Sequence, residues 1–201
     1  MKVLIACEYS GRVRDAFIAK GHDAISCDLL PTDSPGPHYQ GNVFDIIENG
    51  FDLMIAHPPC TFLTVSGNRW FKPEYSERFP NRHADRASGI EFFMKLYDSN
   101  IPRIAVENPV GIMSKHFRKP NQYVQPYQFG DTQSKKTGLW LKNLPLLEST
   151  EIVEPKFYIS KDGRRDPIWH FESLGMKPLE RMKHRSKTFQ GIANAMAEQW
   201  G

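Results

Sequence analysis

Lys2-Val3-Leu4-Ile5-Ala6 followed by Cys7-Glu8-Tyr9-Ser10-Gly11 opens the chain, and Asp23-Ala24-Ile25-Ser26-Cys27 runs on to Asp28. The first run is short, continuous and apolar, the signature of a strand buried on both faces. Between the two runs, residues 12–20 place Val13, Ala16, Phe17 and Ala19 at approximately helical spacing and stop at Gly21. Strand, glycine-containing turn, helix, strand and terminal acid form the opening βαβ unit of a nucleotide-binding α/β sheet.

The same pattern extends outward. Residues 31–41 are rich in Pro, Gly and Ser and read as a loop. Residues 51–56 (FDLMIA) form another buried strand, ending at Pro58-Pro59-Cys60. Residues 61–83 lack periodicity and are expected to form a long mobile loop. Residues 87–98 make an amphipathic helix, 104–106 and 138–141 short strands, and 188–200 a closing helix. The expected fold class is α/β and Rossmann-like, a mostly parallel sheet with helices on both faces. The expected organisation is a catalytic and cofactor-binding domain over 1–142, a short basic insertion over 143–185, and a C-terminal helix over 186–201 that returns to the first domain.

Composition narrows the class. A chain of 201 residues, 40% hydrophobic and 24% charged, can bury a core without disulfides or metals. No apolar run reaches the roughly 18 residues of a membrane span. The N-terminus is basic and then apolar, but Glu8, Arg12, Arg14 and Asp15 interrupt it too early for a signal peptide. Cys7, Cys27 and Cys60 are an odd number without a CxxC pair, which points to a reducing cytoplasm and away from a structural zinc site. His170 and His184 have no ligand-like spacing, so no metal is expected. Basic residues crowd the C-terminal half at Lys135, Lys136, Arg164, Arg165 and Arg181 to Lys187, a distribution suited to a polyanion. A solvated basic surface explains it equally well.

In an open α/β sheet ligands gather beyond the carboxyl ends of the strands. Four clusters fall at such ends: Glu8-Ser10-Gly11, Asp28, Cys60 and Glu107-Asn108. The Pro-Pro step fixes two φ angles and presents Cys60 rigidly, as a nucleophile requires; a free cysteine is also often only a small buried hydrophobe. Glu107 can protonate a heterocycle's ring nitrogen if burial raises its pKa. Asn108 can hold that carboxyl or a backbone turn, or cap a helix. A thiol and a proton-donating carboxyl are what addition to C6 of a pyrimidine needs. Asp28 is placed to accept from a ribose diol. His57 reads either as a proton shuttle or as a histidine satisfied at a strand end.

These residues resemble the cytosine-C5 DNA methyltransferase family over most of the chain. Pro58-Pro59-Cys60, followed by Ser66-Gly67, is similar to its nucleophile motif, and Val106-Glu107-Asn108 to its Glu-Asn motif. Ala6 to Gly11 resembles the S-adenosylmethionine loop, Asp28 the ribose-binding acid, and Gly41-Asn42-Val43 the adenine-side Gly-Asp. Phe129 to Lys136 is similar to the Gln-x-Arg-x-Arg segment, and Gly191 to Ala197, with Asn194, to the closing segment of the cofactor pocket. The resemblance implies catalysis by Cys60, Glu107 and Asn108, with S-adenosylmethionine held by Glu8, Ser10, Gly11, Asp28, Asn42, Pro58 and Asn194. It implies DNA contacts from Ser66, Arg69, Gln133, Lys135, Lys136, Arg164 and Arg165.

The departures carry information. The first loop lacks Phe-x-Gly-x-Gly, Asn42 replaces an acid, Thr61 replaces glutamine and Pro109 replaces valine. The lysines replace arginines that bind bidentately. The recognition region is reduced to about residues 143–185, which suits a single-stranded or weakly specific DNA substrate, or a helper subunit. The aromatic and basic residues Arg69, Trp70, Phe71, Arg78, Arg82 and His83 either close over a flipped base or pack on the domain. Three other functions stay open: an amino-group methyltransferase, which the flanking His57 and Cys60 disfavour; a thymidylate-synthase-like enzyme; and a nucleic-acid-binding module without catalysis.

Overall fold

The computed structural model describes all residues, Met1–Gly201. In chain order the elements are β1 (Lys2–Ala6), α1 (Arg12–Ala19), β2 (Asp23–Asp28), β3 (His38–Gln40), β4 (Leu53–Ala56), α2 (Arg82–Tyr97), β5 (Arg103–Pro109), α3 (Met113–His116), β6 (Gln122–Val124) and β7 (Thr137–Lys142). Then come β8 (Phe157–Ile159), β9 (Arg165–Pro167), α4 (Ile168–Glu172), α5 (Pro178–Ser186) and α6 (Gln190–Trp200). Seven strands make one sheet in the order β3-β2-β1-β4-β5-β7-β6, and β8-β9 form a separate hairpin. The pairs among β1 to β5 are parallel, and β7 runs antiparallel to β5 and β6. The fold is therefore the expected α/β Rossmann-like class, with one reversed strand. No helix is long and apolar enough to cross a membrane.

The alternation along each strand explains the layers. Val3 and Ile5 of β1 face a core completed by α1 and α6, including Phe17, Met196 and Trp200. Leu4 and Ala6 face the opposite core, which holds Phe93 and Leu96 of α2 and Trp140 of β7. A strand covered on both sides has no polar positions to alternate, which is why the runs read as continuous apolar stretches.

Several segments differ from the sequence expectation. Residues 31–41 contain β3, a short polar strand added in parallel beside β2. Helix α2 begins at Arg82, earlier than its apolar periodicity suggests. Residues 61–83 are not one open loop but a chain of 3-10 turns over Val65–Phe71 and Pro73–Tyr75. Trp70 meets the rings of Tyr75 and Phe79 edge-on at 5.0 and 5.5 Å, and the Arg86 guanidinium lies 3.3 Å from the Phe71 ring centre. The aromatics of this segment pack on one another and on arginines. Residues 145–185 hold the β8-β9 hairpin and two helices, where Tyr158 stacks on Phe171 at 3.7 Å.

Candidate active site

The strand order reverses between β1 and β4, since β1 leads outward to β2 and β3 while β4 leads to β5 and β7. A crevice at such a reversal is where an α/β sheet binds its ligand. Three adjacent strands end there in one row. Ala6 is in register with Ala56, and Ala56 with Val106. The next residues along are Cys7, His57 and Glu107, so the first loop, the cysteine turn and the glutamate share one rim.

The first loop is built from inside. Glu8 is 4% exposed, and its carboxylate accepts from Ser10 Oγ at 2.9 Å, from the Val13 N–H at 2.9 Å and from the Arg14 N–H at 3.4 Å. An internal anion thus occupies the positive N-terminus of α1, the place where dinucleotide-binding folds seat a phosphate. Cys7 adopts a left-handed backbone at φ 59 and Gly11 another at φ 76. Buried Arg14 spans the next loop, reaching Ser26 Oγ, Thr32 Oγ1 and the carbonyls of Ser34 and Pro35. A Cβ at Gly11 would lie 2.5 Å from its Nη2, so glycine is needed there for packing as well as for φ. Nothing in the sequence marks Arg14 as buried. Asp28 ends β2 with Oδ1 accepting from the Leu30 N–H at 2.9 Å. With the α1 terminus already occupied by the Glu8 carboxylate, the Val13 and Arg14 N–H groups are not free for a phosphate.

The cysteine turn follows β4. The Cys60 carbonyl accepts from the Leu63 and Thr64 N–H groups at 3.0 Å each, which fixes the residue at the start of a turn. Burial pushes the Cys60 thiol up, Lys135 pulls it back, Glu107 adds to the rise, and Arg185 again opposes it. Pro58 is buried, and its carbonyl accepts from Asn108 Nδ2 at 3.2 Å. Asn108 lies inside β5 opposite Gly138, so it caps no helix and instead ties the glutamate strand to the cysteine turn.

Glu107 Oε2 meets His57 Nδ1 at 2.8 Å. Burial alone raises the Glu107 carboxyl, but the His57 hydrogen bond and charge, the Lys135 ammonium and the Thr137 hydroxyl outweigh it and hold the group below the usual carboxylate range. This differs from the sequence expectation of a carboxyl raised by burial, because His57 bonds the buried carboxylate and favours its charged form. Glu107 also lines a small cavity with Lys135, Thr137, Thr188, Phe189 and Met196.

No family model matches the chain. No curated protein matches it either. Among solved structures it is similar to a protein described as a DNA modification methyltransferase encoded within an E. coli prophage, at 14% identity and a TM-score of 0.47 over 77% of this chain and 52% of that one. It is similar to the Entamoeba histolytica methyltransferase EhMeth at 12% identity and a TM-score of 0.48, over 78% and 57%. The S. pombe Dnmt2 methyltransferase follows at 16% identity and a TM-score of 0.41, over 73% and 50%. The chain spans about half the length of these proteins.

The other sequence-derived residues make contacts of their own. Asn42 is exposed and its side chain caps the 3-10 turn at Phe44. Asn194 is exposed on α6 and accepts from Gln190 at 2.9 Å. Ser66 and Arg69 are exposed on the 3-10 segment, with Arg69 4.0 Å from the Trp70 ring centre. Gln133 accepts from the Trp169 N–H at 3.2 Å, and Lys135 Nζ donates to the Arg185 carbonyl at 3.0 Å. Lys136 lies 4.4 Å from the Tyr123 ring centre. Arg164 pairs with Asp166 at 2.8 Å and Arg165 lies 4.4 Å from the Phe157 ring centre. The structure brings Cys60, Glu107, Asn108 and Lys135 together, with His57 added. It leaves Arg164 and Arg165 on the hairpin.

Proposed function

We propose that this protein transfers a methyl group from S-adenosylmethionine to C5 of cytosine in DNA. The observation that carries the reading is the rim on which the Cys60 turn and Glu107 stand side by side, next to a first loop whose helix terminus is filled by Glu8. Cys60 is the nucleophile that adds to C6. Glu107 holds the ring-nitrogen edge of the base, and Asn108 fixes the cysteine turn through Pro58. S-adenosylmethionine, when bound, supplies an electrophilic methyl carbon. Glu8, Ser10, Gly11 and Asp28 shape the pocket that would hold it, Asp28 by accepting from the ribose. Lys135 stabilises the Cys60 thiolate by its charge.

Arg164 and Arg165 of the basic segment over 143–185, together with Lys135 and Lys136 ahead of β7, are assigned to DNA phosphates. A target base in a duplex must leave the stack to reach Cys60, and a segment this short suits single-stranded or weakly specific substrates.

The reading is tested by trapping. After methyl transfer, 5-fluorocytosine has no C5 proton to lose and its fluorine cannot leave as a cation, so the wild-type protein with S-adenosylmethionine should form an adduct stable to denaturation. Cys60→Ser should form none. Absence of any wild-type adduct, with S-adenosylmethionine binding shown by calorimetry, would count against the covalent route.

A further inference from the structure

His57 leads the cysteine turn. Its N–H still bonds the Ala6 carbonyl at 2.9 Å, so the sheet holds it in place one residue past the end of β4. Its ring reaches Glu107, and the two side chains are 6% and 19% exposed. The second ring nitrogen, Nε2, is buried and has no hydrogen-bond partner. Histidines retained for packing satisfy both nitrogens or leave one in water. An orphaned Nε2 beside a nucleophile's turn points instead to a ring whose protonation changes during function.

The proposed chemistry has an unmet need at this position. Addition of Cys60 to C6 places negative charge on the pyrimidine, and a proton on the ring nitrogen relieves it. The groups facing Glu107 favour its ionised form, namely His57, Lys135 ahead of β7 and the Thr137 hydroxyl. Arg185 of α5, whose carbonyl accepts from Lys135 Nζ at 3.0 Å, also lowers the Cys60 thiol. A carboxylate held ionised has no proton of its own to deliver, and the histidine bonded to it does.

We propose that His57 is a positioning residue and the proton reservoir of Glu107, passing its Nδ1 proton through the carboxyl to the ring nitrogen as Cys60 adds to C6. The Sγ electron pair forms the S–C6 bond, and the C5=C6 π pair moves to C5 and into the ring. The His57 Nδ1–H bond breaks as a Glu107 O–H bond forms, and that O–H bond breaks in turn as N3–H forms. The pair begins as imidazolium and carboxylate and ends as neutral imidazole and carboxylate, while the thiolate charge is cancelled on the base. When the S–C6 bond breaks, the proton returns along the same path.

The inference rests on the Cys60–pyrimidine reading, and the test separates the two. A cytosine oligonucleotide is incubated with the full chain in D₂O without a methyl donor, and C5 hydrogen exchange is followed across pH. The adduct's C5 takes a deuteron from solvent and gives up its proton, so exchange reports adduct formation alone. The wild type should show a bell, with the rising side from the Cys60 thiol and the falling side from His57. His57→Gln and His57→Asn should lose the falling side and exchange roughly 10²-fold more slowly at neutral pH. In the free wild-type protein, ¹⁵N-histidine spectra should show a downfield, slowly exchanging Nδ1–H that Glu107→Gln removes. Exchange in the His57 variants with wild-type rate and profile would overturn the proposal and leave Cys60 chemistry intact. Absence of that Nδ1–H in the wild type would overturn it without any variant. Absence of exchange in the wild type at every pH would overturn the Cys60 chemistry and the proposal with it.

Discussion

Asn108 Nδ2 donates to the Pro58 carbonyl at 3.2 Å, and this bond joins the strand that carries Glu107 to the turn that carries Cys60. Without it the buried Pro58 carbonyl has no partner and the turn is free to shift. Asn108→Ala should therefore cost about 2 kcal/mol, a loss of roughly 4–8 °C in Tm for a chain of this size. Thermal unfolding reads the first effect. Adduct formation with 5-fluorocytosine DNA should slow by about tenfold or more while S-adenosylmethionine affinity holds, because small misplacements of a nucleophile are costly.

Lys135 sets the reactivity of Cys60. Burial pushes this thiol up and the Lys135 charge is the largest influence against it. Lys135→Ala should move the thiol further up, so the thiolate fraction at pH 8 falls. Alkylation of Cys60 by iodoacetamide should then be several-fold slower and its pH profile displaced to higher pH. An unchanged profile would show that Lys135 does not act on the thiol.

The first loop makes a sharper distinction between two small changes. Cys7 sits at φ 59, a conformation that L-residues adopt at a cost of about 1 kcal/mol. Cys7→Gly removes that strain but loosens the unfolded chain by a similar amount, so stability should stay within about 1 kcal/mol of wild type. Cys7→Val places a β-branched side chain where φ is positive and should lose roughly 2 kcal/mol or more. Binding of S-adenosylmethionine, measured by calorimetry, should survive the first change and weaken with the second.

Asp33, in the loop after β2, bonds the Tyr9 carbonyl through its N–H at 2.9 Å and pairs with Lys183 of α5 at 3.0 Å and with Lys187 just beyond it at 2.9 Å, so it ties this helix to the first loop. The Tyr9 hydroxyl donates to the Lys183 carbonyl at 2.5 Å and reinforces the junction. The two lysines hold the Asp33 carboxyl below its ordinary value. A depressed folded value means the tether is fully present above the ordinary aspartate range and is lost as pH falls through the lowered one. These side chains are about one-third exposed, so the pairs contribute at most about 1 kcal/mol. Asp33→Asn should leave Tm nearly unchanged and raise hydrogen exchange over residues 177–188, as acidification should in the wild type.

The legible parts of the fold were those with continuous apolar runs. β1, β4 and the centre of β5 are buried on both faces, and Gly21 marks the end of α1 closely. β3 was hidden because His38-Tyr39-Gln40 is a polar edge strand paired on one side. α5 was hidden because Leu179 and Met182 are exposed and trace no stripe toward a core. At the site, Cys60, Glu107 and Asn108 could be named from strand ends and resemblance alone. The His57–Glu107 bond could not, because it spans 50 positions and depends on Ala56 lying beside Val106. Arg14 could not either, since a basic residue on a surface helix gives no sign that a neighbouring loop will wrap its guanidinium.

The chemistry assigned to Cys60 is tested most directly by the product. Cytosine-containing DNA, single- and double-stranded, is incubated with methyl-labelled S-adenosylmethionine and digested to nucleosides. Label should appear in 5-methylcytosine with the wild-type protein and not at all with Cys60→Ser. Label in an exocyclic amino group, or label retained by Cys60→Ser, would contradict it.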